Sequence, residues 1–392
     1  MLDIKVKCFP ASYGDSFLVN IKNEKESHNI LIDLGFKETY NLYIRKELQK
    51  INCLDLIALT HIDDDHISGA IEFFKDNEIL EKLSIKNIWF NDLYKIVDDK
   101  YGVDDFNFNI NKEIEKRSCG IFDDEVSFSK ANTLTELIYK TNNFSVWNKQ
   151  ETLIQCKEKS YKELYPINSE IKFVILSPNT IRIDELFSEW LKKIKIKKSD
   201  FKLKSTDLSK FYNMFKYHDK LASSFDNNCS NKIIDIEEMA NKEFMKNSKA
   251  NNSSIAFFIE IKDKKMLFLG DANAEDISSS LEQYKIDKKL EVLKFDLIKV
   301  SHHGSRNNIN NKLFDIFYSD RYLISTNGNR HNHPDIECLS KIIVKQKQYK
   351  SLIFNYDRKL IVKKLNVEEL KIKYNYDLDI PKKNGEVVNI DI

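Results

Sequence analysis

The segment His61-Ile62-Asp63-Asp64-Asp65-His66 gathers four possible metal-ligating side chains into six residues: His61, Asp63, Asp65 and His66. Imidazole nitrogens and carboxylate oxygens at such spacing suit a divalent cation. Three adjacent aspartates would repel one another without one. An acidic helix N-terminus accounts for the aspartates, because capping and the helix dipole favour Asp there. It does not account for the two flanking histidines. Asp271 follows an apolar run and Gly270, a position suited to bridging metals or orienting water. His302 and His303 end a further apolar run, so one can reach a metal while the other faces substrate. His331 and His333 lie with Arg330 on a late loop before Pro334. Six of the eight histidines fall in these three clusters.

The elements that must position these groups alternate along the chain. Runs at 2–9, 16–21 and 29–33 read as strands, and residues 40–51 show helical spacing. Leu54 to Thr60 is a strand leading directly into the His61 segment, after which Ile67 to Phe74 continues as a helix. Another strand falls at 85–90. Residues 91 to 250 are rich in Lys, Asn and Asp, with helical stretches and one clear strand near 171–177. Regular strands return at 254–261, 265–269, 295–300, 322–325 and 351–357. These observations place a catalytic domain over 1–90 and 250–360, a largely helical insertion or cap over 91–250, and a C-terminal extension over 361–392.

Composition narrows the class. The chain has 392 residues, with 42% hydrophobic and 31% charged, which excludes collagen-like and wholly disordered proteins. Lys+Arg 62 against Asp+Glu 61 leaves net +1, so no global field announces a polyanionic partner. No run reaches the roughly 20 apolar residues of a membrane span, and the charged start lacks the apolar region of a signal peptide. A cytoplasmic protein without membrane contact is expected. Six cysteines lie far apart with no CxxC pair, which reads as free buried thiols. Nine glycines in 392 residues fall far below the usual roughly 7%. Six of them (Gly14, Gly35, Gly69, Gly270, Gly304, Gly328) sit in short polar clusters, so each retained glycine is expected to answer a backbone need.

The motif order resembles the metallo-β-lactamase fold: Asp33-x-Gly35, His61-x-Asp63-x-Asp65-His66, Gly270-Asp271 and His302-His303-Gly304-Ser305. Asp at the second ligand position is similar to the hydrolase domain of the ComEC/Rec2 DNA-uptake family. Gly14-Asp15-Ser16, Asn251-Asn252-Ser253-Ser254 and Gly328 through His333-Pro334 match that family's further loops. The likeness covers residues 1–90 and about 250–360. It implies an α/β architecture, an αββα sandwich with the metal site along the shared edge of two sheets. It also implies that His61 and Asp63 hold one divalent ion, that Asp65, His66 and His302 hold another, and that Asp271 bridges. The third histidine of the broader superfamily is missing; only His218 lies in that interval. Oxygen-rich ligation shifts the preference from Zn²⁺ toward Mn²⁺ without deciding it.

The implied chemistry is metal-dependent hydrolysis, in which one or two ions make hydroxide available near neutral pH. Asp271 would orient the nucleophile with Asp65 beside it. His303 or His333 would bind a phosphate or protonate the leaving oxygen, and Arg330 is a candidate anion contact. Asp15, Asp33, Asn252 and Ser305 would support the loops that carry the ligands. A phosphodiesterase acting on nucleic acid is the leading expectation. Residues 190–220 hold ten lysines and three aspartates, interleaved with Phe201, Phe211, Tyr212, Phe215 and Tyr217, a pattern able to meet phosphates and bases. A solvated lysine-rich helix face explains the same residues. Hydrolysis of small phosphoesters or cyclic nucleotides is one alternative. The other is a component that binds a protein partner through 91–250, with hydrolysis secondary.

Overall fold

Alternation of apolar side chains decides the layering. In the strand Ser16–Lys22, Phe17, Val19 and Ile21 enter one buried cluster while Leu18 enters another. In Ala256–Ile261, Phe257, Ile259 and Ile261 meet that first cluster, and Phe258 points the opposite way. Successive strand side chains face opposite sides, so each strand covers two cores. The computed structural model of the protein describes residues 2–101, 123–193, 235–244 and 246–392.

Six strands form the first sheet, in the spatial order Val388–Asp391, Asp3–Cys8, Ser16–Lys22, Ser27–Leu34, Leu56–Ala58 and Ile88–Trp89. The first three pairings are antiparallel and the last two parallel. Eight strands form the second: Tyr376–Asp379, Lys350–Phe354, Arg321–Ile324, Leu297–Lys299, Lys264–Phe268, Ala256–Ile261, Ile171–Ser177 and Lys162–Leu164. Their inner faces bury Val6, Ile32, Trp89, Phe173, Phe257 and Phe268 between them. Helices Asp64–Phe73, Asp123–Lys140 and Thr180–Lys193 supply Ile67, Leu134 and Trp190 to the outer core of the first sheet. Ala274–Asp287 and Ile336–Lys345 supply Leu281 and Ile342 to that of the second. The result is an αββα sandwich. No helix among the described residues is long and apolar enough to cross a membrane.

One boundary read from the sequence needs correction. Residues 361–392 are not an extension, because Tyr376–Asp379 and Val388–Asp391 close one edge of each sheet. Their sequences, YDLD and VNID, carry too few apolar residues to read as strands. Within 91–250 the described residues contribute to both a sheet and the outer helical layer. Lys162–Leu164 and Ile171–Ser177 extend the second sheet, and the helices at 123–140 and 180–193 form part of the outer layer. Helical periodicity reveals an apolar face but not the surface it covers. Cys8, Cys156 and Cys338 are buried free thiols and Cys53 is half-buried; Cys119 and Cys229 lie outside the described residues.

One buried acid in this layer gives a testable stability effect. Asp92 accepts from the Lys95 amide at 2.9 Å and from the Thr135 hydroxyl, and it is fully buried. Burial pushes its carboxyl up to about 6, outweighing those hydrogen bonds and the Lys95 ammonium. Between about pH 4 and 6 the native protein therefore keeps a proton that the unfolded chain has released. Stability falls as pH rises through that window and stays reduced above it. Asp92→Asn keeps the acceptor and removes the charge, so it should stabilise by about 2–3 kcal/mol above pH 6 and by almost nothing below pH 4. Urea unfolding of both proteins at several pH values checks this; a pH-independent difference would refute it.

Candidate metal centre

The ligand-bearing turns meet where strands of both sheets end. Asp33 lies in the strand Ser27–Leu34 with φ of 50°, and its carboxylate accepts from the Thr60 amide at 2.8 Å and hydroxyl at 2.7 Å. The same carboxylate lies 2.7 Å from His66 Nδ1, which fixes that nitrogen as the donor and turns Nε2 toward the centre. His61 Nδ1 lies 3.0 Å from the Thr60 hydroxyl, and its Nε2 stands 3.8 Å from Asp271 Oδ2 and 3.6 Å from Asp63 Oδ2. Asp63 occupies the N-cap position of the helix Asp64–Phe73.

From the second sheet come Asp271 and the paired histidines. The Asp271 amide donates to the Ser254 hydroxyl at 3.1 Å. His302 and His303 both have left-handed backbone, with φ of 47° and 55°. His302 Nδ1 lies 2.8 Å from Asn308 Oδ1, and its Nε2 lies 3.5 Å from Asp271 Oδ2. His303 Nδ1 faces the Ser325 carbonyl at 2.9 Å, leaving Nε2 3.4 Å from Asp65 Oδ2. Both imidazoles therefore enter the centre.

Ligand atoms of Asp15, His66, Asp271 and His303 all lie within 4.8 Å of one another, and all four residues are buried. Nε2 of His61, His66 and His303 and Asp271 Oδ1 have no hydrogen-bond partner, while the Asp15 carboxylate has the Lys299 ammonium and the His303 ring beside it. Buried polar atoms left this way carry a large desolvation cost. Their convergence fits divalent cations held by nitrogen and oxygen. Asp271 turns Oδ2 toward His61 and His302, and Oδ1 toward His66 at 3.7 Å. His61, Asp63 and His302 thus share one side of Asp271, while Asp65, His66, His303 and Asp15 share the other.

This arrangement differs from the expected one in two respects. His303, rather than His302, stands against Asp65, because consecutive left-handed residues swing the two rings to opposite sides of Asp271. Asp15, expected to support a loop, places its carboxylate within the cluster itself.

The remaining candidates lie around it. Asn252 Oδ1 accepts from Asn247 and Asn273 and holds its loop. The Ser305 hydroxyl accepts from the Asn307 amide and caps a short turn. His333 is buried on the rim, with its ring 5.4 Å from that of His302 and Nδ1 3.5 Å from Asp335 Oδ2. Arg330 stands over the Tyr13 ring at 5.7 Å, and His331 is exposed 5.9 Å from His333. His218 and nearly all of the lysine-rich segment (194–220) lie outside the described residues. Sequence reasoning missed Lys299 and Asn308. A lysine between Ile298 and Val300 in an apolar run was the available signal.

The charges of the cluster hold one another. Burial alone would raise Asp271, but the surrounding His302, His66, His303 and His61 imidazoles keep it well below the usual carboxylate range. Burial works against a proton on His66, yet Asp33, Asp271 and Asp65 raise it well above the ordinary imidazole value. His303 is likewise pushed up to about 9, the acids led by Asp15 outweighing burial. His302 goes the other way, down to about 4, because burial there exceeds the pull of Asp271.

A strand-to-helix turn rich in histidine and aspartate, set at the edge of an αββα sandwich, defines the class. Residues 10–82 match the family model of the Metallo-beta-lactamase superfamily. No curated protein matches the chain. Among solved structures it is similar to the metallo-beta-lactamase fold protein YhfI from Bacillus subtilis, at 10% identity and a TM-score of 0.40, over 99% of this chain and 100% of that one. It is also similar to a variant of CmlA beta-hydroxylase, at 8% identity and a TM-score of 0.37, over 99% of this chain and 54% of that one. Both scores fall below 0.5, so the fold stands on the chain's own strand order and the family match.

Proposed function

We propose that the protein is a metal-dependent phosphodiesterase acting on nucleic acid, with a centre of ComEC type. The observation that carries this is the set of orphaned, converging nitrogen and carboxylate oxygen atoms, with Asp63 where a third imidazole would make the site softer. One or two ions, Mn²⁺ or Zn²⁺, would supply a hydroxide nucleophile and stabilise charge on a phosphoryl oxygen. His61, Asp63 and His302 would hold one ion, Asp65, His66 and His303 the other, with Asp271 between them. Asp33 fixes the His66 tautomer. His333, beside Asp335 on the rim, would carry a proton to the leaving oxygen. Arg330 would meet a phosphate.

The test is cleavage of end-labelled single-stranded DNA, duplex DNA and RNA with Mn²⁺ or Zn²⁺, beside Asp65→Ala. Metal-dependent cleavage that the variant lowers at least about 100-fold is the expected result. Stoichiometric metal binding without cleavage of any polymer would overturn the nuclease reading. It would direct attention to small phosphoesters or to a protein partner.

A further inference from the structure

The centre contains a cation of its own. Lys299 ends the strand Leu297–Lys299, and its side chain is 1% exposed. Its ammonium pairs with the Asp15 carboxylate, itself 1% exposed, and lies 3.5 Å from the carbonyl of Gly270, the residue before Asp271. Methionine would fill the same space without the desolvation cost of a buried charge, so packing does not explain the lysine. Asp15 in turn places Oδ1 3.4 Å from His303 Nδ1 and belongs to the four-residue group with His66, Asp271 and His303. Asp15, Asp33, Asp65 and Asp271 bring four carboxylates into this small volume. They repel one another most strongly when no divalent ion is bound.

Resting on the metal-centre reading above, we infer that Lys299 is a resident counter-cation of the centre. It holds Asp15, and through Asp15 the His303 ring, while no divalent ion is bound. It also opposes the ion, by keeping Asp15 engaged and by placing a positive charge beside the ion's position. Lys299 is a positioning residue; it sets how tightly the centre binds metal and how well the empty protein holds together.

The two consequences have opposite signs, which separates this role from a merely structural one. Loss of a packing residue lowers the melting temperature by the same amount with and without metal. Loss of a counter-cation destabilises the metal-free protein, frees Asp15 for the ion, and enlarges the stabilisation that metal brings.

The experiment uses the full chain, stripped with a chelator and titrated with Mn²⁺ by calorimetry, with melting followed in parallel. The proteins are wild type, Lys299→Met, Asp15→Asn and the double variant. Lys299→Met should bind Mn²⁺ at least roughly tenfold more tightly than wild type and show a larger Mn²⁺-induced rise in Tm. Asp15→Asn, which leaves the ammonium unpaired, should bind at least roughly tenfold more weakly, and the double variant should recover most of that loss. Equal metal-induced shifts in wild type and Lys299→Met would overturn the inference. If Lys299→Met does not fold, equal Mn²⁺ affinity in Asp15→Asn and the double variant would overturn it. Wild type that binds no Mn²⁺ would overturn the metal centre and this inference together; binding that none of the variants alters would overturn the inference alone.

Discussion

Asp271→Asn should leave a folded protein whose metal-dependent hydrolysis is slower by at least about 10³-fold. The asparagine keeps nearly the same volume, and the backbone contact from the Asp271 amide to Ser254 does not depend on the carboxylate. What it removes is charge at the one group that faces both sides of the centre, through Oδ2 to His61 and His302 and through Oδ1 to His66. An amide offers one oxygen in place of two and carries no negative charge to offset a bound cation. Metal binding should therefore weaken on both sides of Asp271. Metal content after dialysis, read beside the rate of cleavage and the melting temperature, distinguishes this from misfolding. A variant that keeps its full metal content and loses less than tenfold in rate would remove Asp271 from the centre.

Asp271 also shows what was legible in the amino-acid sequence. A carboxylate after Leu267-Phe268-Leu269-Gly270 is conspicuous, as is a histidine pair closing an apolar run. So is a turn in which two histidines bracket three aspartates. Each announces itself within a few residues, because strand periodicity and ligand type are local properties. The strand near 171–177 and the helix after the His61 segment are visible for the same reason.

Other features depend on contacts that no local pattern encodes. The distribution of His302 and His303 across the two sides of Asp271 follows from left-handed backbone at both residues. The Asp15–Lys299 pair joins positions far apart in the chain. In so lysine-rich a protein, a single lysine within a strand resembles a surface residue until the opposite sheet is in place. The edge strands Tyr376–Asp379 and Val388–Asp391 have too few apolar side chains to be recognised, and hydrogen bonding to neighbours gives them their identity. The helix Asp123–Lys140 shows why a cap was the natural reading of 91–250. Its packing face is plain, but only the fold shows that Ala131 and Leu134 meet the first sheet's outer core, while Lys130 reaches Asp64 beside the ligands.

Gly14→Ala should carry a large cost at a position that carries no ligand. A Cβ there would stand 2.1 Å from the Asp65 carbonyl oxygen and 3.0 Å from the Asp65 Cβ. That oxygen also accepts from the Asp15 amide at 3.2 Å, so the loop and the ligand turn are in direct backbone contact. Neither side is a flexible side chain that can swing away; the two backbones must separate. The overpacking should lower stability by about 3 kcal/mol or more. A displacement near 1 Å moves Asp15 and Asp65 together and should reduce the rate by at least about 100-fold. Gly385→Ala supplies the comparison. Its Cβ would meet only the Tyr43 hydroxyl at 3.6 Å, although its φ of 80° imposes strain. That variant should lose about 1–2 kcal/mol and keep its activity, because strain in the left-handed region is local. Melting and cleavage rates measured on both variants decide the matter. If Gly14→Ala behaves like Gly385→Ala, the close approach of the Gly14 loop to Asp65 does not set the geometry of the centre.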